Sequence, residues 1–192
     1  MQNVASDTAL AKLASMLEGS QARWIVGGST GLALRGAILE RAPSDLDIYV
    51  DGNAVASVDE KLRDYRLDGP SENRTERYHS ILSHYRIEDT MVELVGDFRV
   101  TALQSEYLTE VDEFLFPGSD RIEVAYHSVA IIPLGHELIF NLLRERGDRA
   151  AEAGRLISED PRRHLPLLQQ LIRRNEISFS VAAEALRLAG EG

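Results

Sequence analysis

Two aspartates separated by a single residue, Asp45 and Asp47, follow a Gly27-Gly28-Ser29 stretch after fifteen intervening residues. In an extended strand, residues two apart point to the same face, so the two carboxylates repel one another unless a cation or solvent intervenes. Placed at the start of a strand near solvent, they make an all-oxygen divalent-ion site suited to Mg2+. The glycines let backbone approach a bulky anion, and a helix beginning near Ser29 would aim unpaired N–H groups at it. The pair of segments therefore suits a metal beside the phosphates of a nucleoside triphosphate. Taken singly each has a plain alternative: one aspartate capping a turn while the other is solvated, or a tight connection that binds nothing.

A third acid, Glu93, lies inside the otherwise apolar Met91-Val92-Glu93-Leu94-Val95. Period-two alternation puts Val92 and Leu94 on one face and Glu93 with Met91 and Val95 on the other. A charge there is costly unless paired or bound to metal, although an edge strand facing water would also tolerate it. Asp97, after Gly96, is the second candidate for this role and is equally a turn residue.

These residues need elements to hold them. Ser6 to Glu18 reads as an amphipathic helix with Leu10, Leu13 and Leu17 on one face and Gly19 as its stop. Arg23 to Val26 reads as a buried strand, Ser29 to Arg35 as a helix with Ser29 at its N-terminus and Gly36 after it, and Leu46 to Val50 as a second strand. Ala54 to Asp64 reads as helix and Gly69 to Asn73 as a loop. His79 to Ile87 and Met91 to Val95 form a hairpin through Glu88-Asp89-Thr90. Residues 101–119 are ambiguous apart from a turn at Phe116-Pro117-Gly118-Ser119, and Arg121 to Ile132 favours one or two strands. After Pro133 the period becomes helical, over Leu134 to Arg146, Asp148 to Ile157, Arg162 to Arg173 and Ser178 to Ala189. The expectation is an α+β fold with a mixed α/β core over 1–132 and a smaller helical region over 133–192.

Composition removes several function classes. The 192 residues contain no cysteine, so disulfides, thiolate metal sites and cysteine nucleophiles are excluded. No apolar run approaches the ~20 residues of a membrane span, and the first residues lack the basic and apolar regions of a signal peptide, so a cytoplasmic protein is expected. The net charge of −10 lies wholly in residues 1–132, which hold twelve basic against twenty-two acidic residues, whereas 133–192 holds nine of each. That argues against non-specific nucleic-acid binding and suits a region that gathers metal ions, as it suits any acidic surface. Only Lys12 and Lys61 among the 21 basic residues are lysines, and arginine is the better bidentate phosphate ligand.

Ile25 to Gly36 followed by Ser44-Asp45-Leu46-Asp47-Ile48-Tyr49 and a later strand acid resembles the nucleotidyltransferase superfamily related to DNA polymerase beta. The likeness is to its minimal branch, with the aminoglycoside and lincosamide nucleotidyltransferases and the nucleotidyltransferase-like toxins. The motif-bearing part covers about residues 23–97, and Ile132-Pro133-Leu134 through Asp148 is similar to the helix that opens the C-terminal part of several members. The resemblance implies that Asp45, Asp47 and Glu93 hold Mg2+, with Glu93 either base or ligand. It also implies that Gly27, Gly28 and Ser29 meet the triphosphate of an NTP. Arg35 and Arg41 between the motifs, and Arg144 and Arg146 on the late helix, are the basic residues available for those phosphates. NMP would pass from the NTP to a hydroxyl of a small molecule, an RNA end or a protein. ATP binding is expected with the base preference of the NTP left open, and the resemblance leaves a homodimer open.

Asn141 stands where several toxin-like relatives carry lysine, which supports an alternative: a module that keeps the fold without transfer, such as one half of a toxin–antitoxin pair. Other residues are discounted. His79 and His84 sit on opposite faces of a strand as surface or hydrogen-bonding groups, and His136-Glu137 is expected at a solvated helix start. Arg162-Arg163 and Arg173-Arg174 are expected on a solvated face beside acids, and the Leu138/Leu142 stripe reads as core.

Overall fold

Alternation along Asp45-Leu46-Asp47-Ile48-Tyr49-Val50 decides how the layers stack. The computed structural model describes residues 4–191 and makes this segment strand β2 (Asp45–Val50), central in a mixed sheet. Leu46, Ile48 and Val50 face a core shared with α1 (Val4–Leu17) and α3 (Gly52–Leu62). Tyr49 joins a second core on the opposite face, built with α4 (Leu134–Leu143), α5 (Gly147–Glu159), α6 (Pro161–Arg174) and α7 (Phe179–Leu188). Period two in the strand thus separates a wholly apolar face from one that carries two acids.

The sheet runs β3 (Ser71–Arg74), β4 (Tyr78–Ile87), β5 (Thr90–Ala102), β2, β1 (Ile25–Gly27), β8 (His127–Ile131), β7 (Asp120–Val124), with β6 (Ser105–Leu108) paired to the far half of β5. β1 is antiparallel to β2, whereas β2 is parallel to β5 and β1 to β8. The β4–β5 hairpin closes through Glu88-Asp89, with Glu88 at φ 47° and Ile87 opposite Thr90. β5 runs well past Val95. Ile81 pairs with Gly96 but His79 with Arg99, so one extra residue bulges at Asp97, φ 47°.

Helix signals act where expected. Leu10, Leu13 and Leu17 are buried on α1, and Gly19 turns the chain behind it at φ 70°. Gly36 follows α2 (Gly28–Leu34) at φ 83°. Three expectations change. Ser71 to Arg74 is a strand rather than loop, because its partner β4 offers an open edge. Ser29 lies inside the first turn of α2 and Gly27 is the N-cap, with no side-chain bond. The ambiguous 101–119 region resolves into the end of β5, β6 and a π-helical turn over Val111–Leu115. No helix is long and apolar enough to cross a membrane among the described residues.

Candidate active site

Strand register assembles the acids. Gly27 pairs with Asp47, Asp47 with Glu93, and Glu93 with His84, so four strands contribute one row. Asp45 lies one pleat along, on the same face. Asp45, Asp47 and Glu93, all partly buried, each offer an oxygen within 4.8 Å of the others. Thr30 Oγ1 donates to the Asp45 carbonyl at 2.7 Å and ties α2 to the start of β2. Asp97 is not in the group: its carboxylate accepts the Gly52 N–H at 2.6 Å.

Burial, then repulsion from Asp45, Glu93 and Glu137, pushes the Asp47 carboxyl up to about 8, against a smaller pull from Arg144. The cluster is thus short of positive charge, and its hard oxygen donors fit a divalent ion such as Mg2+. His84 borders it, with Nε2 3.8 Å from Glu93 Oε1 while Nδ1 lies 2.8 Å from Asp68. His79 points the other way, to Glu72.

Above the acids opens a cavity of about 690 Å3, lined also by Ser29, Arg41, Arg144, Arg146 and Arg149. Among the described residues none of these four arginines has an acid within 4.0 Å. Burial and the charges of Arg144 and Arg149 pull the Arg146 pKa down. Arg144 lies over the rings of Phe140 and Tyr78 at 5.0 and 5.7 Å, and its Nε is buried without a partner. Such uncompensated guanidiniums call for an anion. Arg144 and Arg146 do not extend the late helix: α4 ends at Leu143, Glu145 takes φ 58°, and α5 starts at Gly147. The two project from that junction, and Arg149, absent from the sequence-derived set, joins them from the first turn of α5.

Arg35 does not reach the cavity. It pairs with Asp120 and donates to the carbonyls of Ile131 and Ile132, at 3.2 and 2.7 Å, so it binds α2 to the far strands instead of a phosphate.

The glycine pair is required sterically. A Cβ on Gly27 would lie 2.6 Å from Tyr49 Cε2; one on Gly28, whose φ is 62°, would collide with Asp47 Oδ2. The Gly28 N–H is already used, donating to Glu137 Oε1 at 2.7 Å. Glu137 and His136 are therefore not a solvated helix start; they are 1% and 0% exposed. Burial raises the Glu137 carboxyl to about 7, offset by the Gly28 N–H, Asn141 and the arginines. It lowers His136 to about 3, and Nδ1 of that ring meets the Tyr107 hydroxyl at 2.8 Å. Asn141 Nδ2 donates to Glu137 Oε2 at 3.0 Å, and Asn141 does not line the cavity. A signal for Glu137 existed: it is a lone acid in the apolar helix Leu134 to Leu143, like Glu93 in its strand.

No protein-family model and no curated protein sequence matches the chain. Solved structures do. A Thermotoga maritima protein described as a candidate nucleotidyltransferase superposes with TM-score 0.64 at 21% identity, over 83% of this chain and 96% of its own. The antibiotic-resistance factor ANT(2'')-Ia, solved in solution, gives TM-score 0.54 at 14% identity, over 90% and 94%. Its crystal structure with adenylyl-2''-tobramycin gives 0.50 at 14%, over 88% and 98%. The chain has the nucleotidyltransferase fold.

Proposed function

We propose that this protein is a metal-dependent nucleotidyltransferase that moves NMP from an NTP to a hydroxyl of an acceptor. One observation carries the reading: three carboxylates converge in the same cavity as four arginines that have no acid partner. Asp45, Asp47 and Glu93 would hold Mg2+, which when bound neutralises charge at the attacked phosphate. Arg144, Arg146 and Arg149 grip the outer phosphates, with Arg41 on the loop before β2 and Ser29 beside the glycine turn. The acceptor oxygen bonds to the α-phosphorus as the bond to the pyrophosphate oxygen breaks, and the hydroxyl proton passes to a carboxylate of the site. A cluster of arginines beside the acids suits this reaction because positioning and charge neutralisation account for most of its catalysis.

Beyond the three acids, the described lining holds no further carboxylate. That supports a neutral or anionic acceptor over a polyamine such as an aminoglycoside, for which the lining offers four guanidiniums and no acid outside the metal cluster. Asn141 does not favour a degenerate module, since it supports Glu137 from below and the arginines supply the cations at the cavity. The test is incubation with labelled NTPs, Mg2+ and a panel of acceptors that includes tRNA and aminoglycosides. Label transfer is expected with the wild type and not with Asp45→Ala or Asp47→Ala, both folded. Near-normal transfer by either variant would refute the mechanism.

A further inference from the structure

Helix α2 touches both aspartates. Thr30 holds the Asp45 backbone, and Gly28 lies against the Asp47 carboxylate so closely that no side chain fits between them. Whatever fixes the start of α2 therefore limits where the Asp47 carboxylate can lie. The Gly28 N–H is among the first donors of that helix, which have no intrahelical acceptor, and its acceptor comes from α4, 109 residues away in sequence. That acceptor, Glu137, is 1% exposed, and each of its oxygens is accounted for: Oε1 takes the Gly28 N–H and Oε2 the Asn141 amide. Asn141 is anchored in turn, because the same amide nitrogen also donates to the Glu137 carbonyl at 2.8 Å.

A buried carboxylate is a poor choice for stability alone. Hydrophobic residues of similar volume in place of buried charges are often neutral or stabilising, and Leu134, Leu138, Ile139, Phe140 and Leu143 of the same helix are buried residues of that kind. We propose that Glu137 is a positioning residue: with Asn141 behind it, it clamps the Gly27-Gly28 turn from beneath and so holds that turn against the Asp47 carboxylate. A corollary concerns the turn itself. Gly28 cannot offer its N–H to a phosphate while Glu137 holds it, so phosphate contacts here fall to Ser29 and the arginines. This role rests on the nucleotidyltransferase reading of the site.

Four variants test it: Glu137→Gln, Glu137→Asp, Glu137→Ala and Asn141→Leu. Glutamine keeps an acceptor oxygen at the same reach; aspartate falls one methylene short; alanine removes the acceptor; leucine takes away its support. Amide hydrogen exchange across residues 27–31, without metal or nucleotide, reads the clamp directly. Exchange should rise at least about tenfold in Glu137→Asp and Glu137→Ala and rise least in Glu137→Gln, which keeps the acceptor for Gly28 but sets its own NH2 against the Asn141 amide. Mg2+ affinity and kcat/KM for the NTP should fall about 10–100-fold in the first two, the range for residues that orient metal ligands. Asn141→Leu should lie between.

A merely structural role would lower the thermal midpoint and leave exchange and kcat/KM unchanged well below it. The proposal is overturned if folded Glu137→Asp keeps wild-type exchange and kcat/KM within about threefold, or if Glu137→Gln falls as far as alanine. Should Glu137→Ala fail to fold, the aspartate and glutamine variants decide. If the wild type binds no Mg-NTP and transfers nothing, the functional reading fails, and the exchange data still decide the clamp.

Discussion

Asp47 carries the most tension of any side chain at the site. Folding brings it beside Asp45, Glu93 and Glu137 and moves its proton release from 3.8 to about 8. Glu137 moves the same way, from 4.5 to about 7. Between the unfolded and folded values the native state binds more protons than the unfolded chain, so stability falls as pH rises through that window. His136 acts in the opposite sense: pushed from 6.5 down to about 3, it makes stability fall as pH drops below 6.5. Above 6.5 that histidine is neutral in both states and the two acids set the slope. In chelator the thermal midpoint should decline from pH 6.5 to 8; Mg2+ should flatten the curve by stabilising ionised Asp47. Asp47→Asn should raise the metal-free midpoint, shrink the slope and lose the Mg-NTP thermal shift; an unchanged slope would mean the charge is not strained. Gly28→Ala combines a left-handed backbone, about 1–3 kcal/mol, with a collision at Asp47. Urea unfolding should show at least that loss, together with loss of Mg-NTP binding.

Arginines on neighbouring elements separate by function. Arg146 and Arg149 sit at the α4–α5 junction without acids, so Arg146→Ala or Arg149→Ala should raise the NTP KM about tenfold, one charge-assisted contact, and leave the thermal midpoint nearly unchanged. Arg35 joins α2 to Asp120 and to the β8 end of the sheet. Arg35→Ala should cost about 1–3 kcal/mol, because the Ile131 and Ile132 carbonyls lose a charged donor while Asp120 keeps Arg163, with the NTP KM unmoved. Equal KM effects from Arg35→Ala and Arg146→Ala would erase the distinction. Sequence alone could not draw it: Arg35 and Arg41 both lie between the motifs, and only packing shows that one turns inward. The β2 acids and the β4–β5 hairpin were readable because period two is local. Glu137 was readable in principle, from the same pattern that marks Glu93, but an acid at a helix start also has an ordinary solvated explanation. The break after Leu143 depends on Glu145 adopting a left-handed φ, which no residue type there signals.

At the scale of the molecule, the change of texture at Pro133 marks where strands give way to helices, without a division of the core. Ile25, Tyr49 and Val95 of the sheet share one cluster with Leu138, Phe140, Leu168 and Ala185 of the helices, and the cavity takes its acids from the first part and three of its arginines from the second. Strand order was not legible, because β1 and β8 pair across about a hundred residues and no local pattern encodes that choice. The shared core makes a cooperative prediction. Trp24, the single tryptophan, reports on the sheet beside α1, whereas far-ultraviolet circular dichroism is dominated by the helices, most of them after residue 133. Urea unfolding followed by both probes should give coincident midpoints. Residues 1–132 expressed alone should not fold: without α4 the sheet would expose Ile25, Tyr49 and Val95, each worth about 1.5–3 kcal/mol when buried, and the Gly28 N–H would lose Glu137. Two separated transitions, or a folded 1–132 fragment that binds Mg-NTP, would show that the site needs only the sheet and that the helices are an attachment.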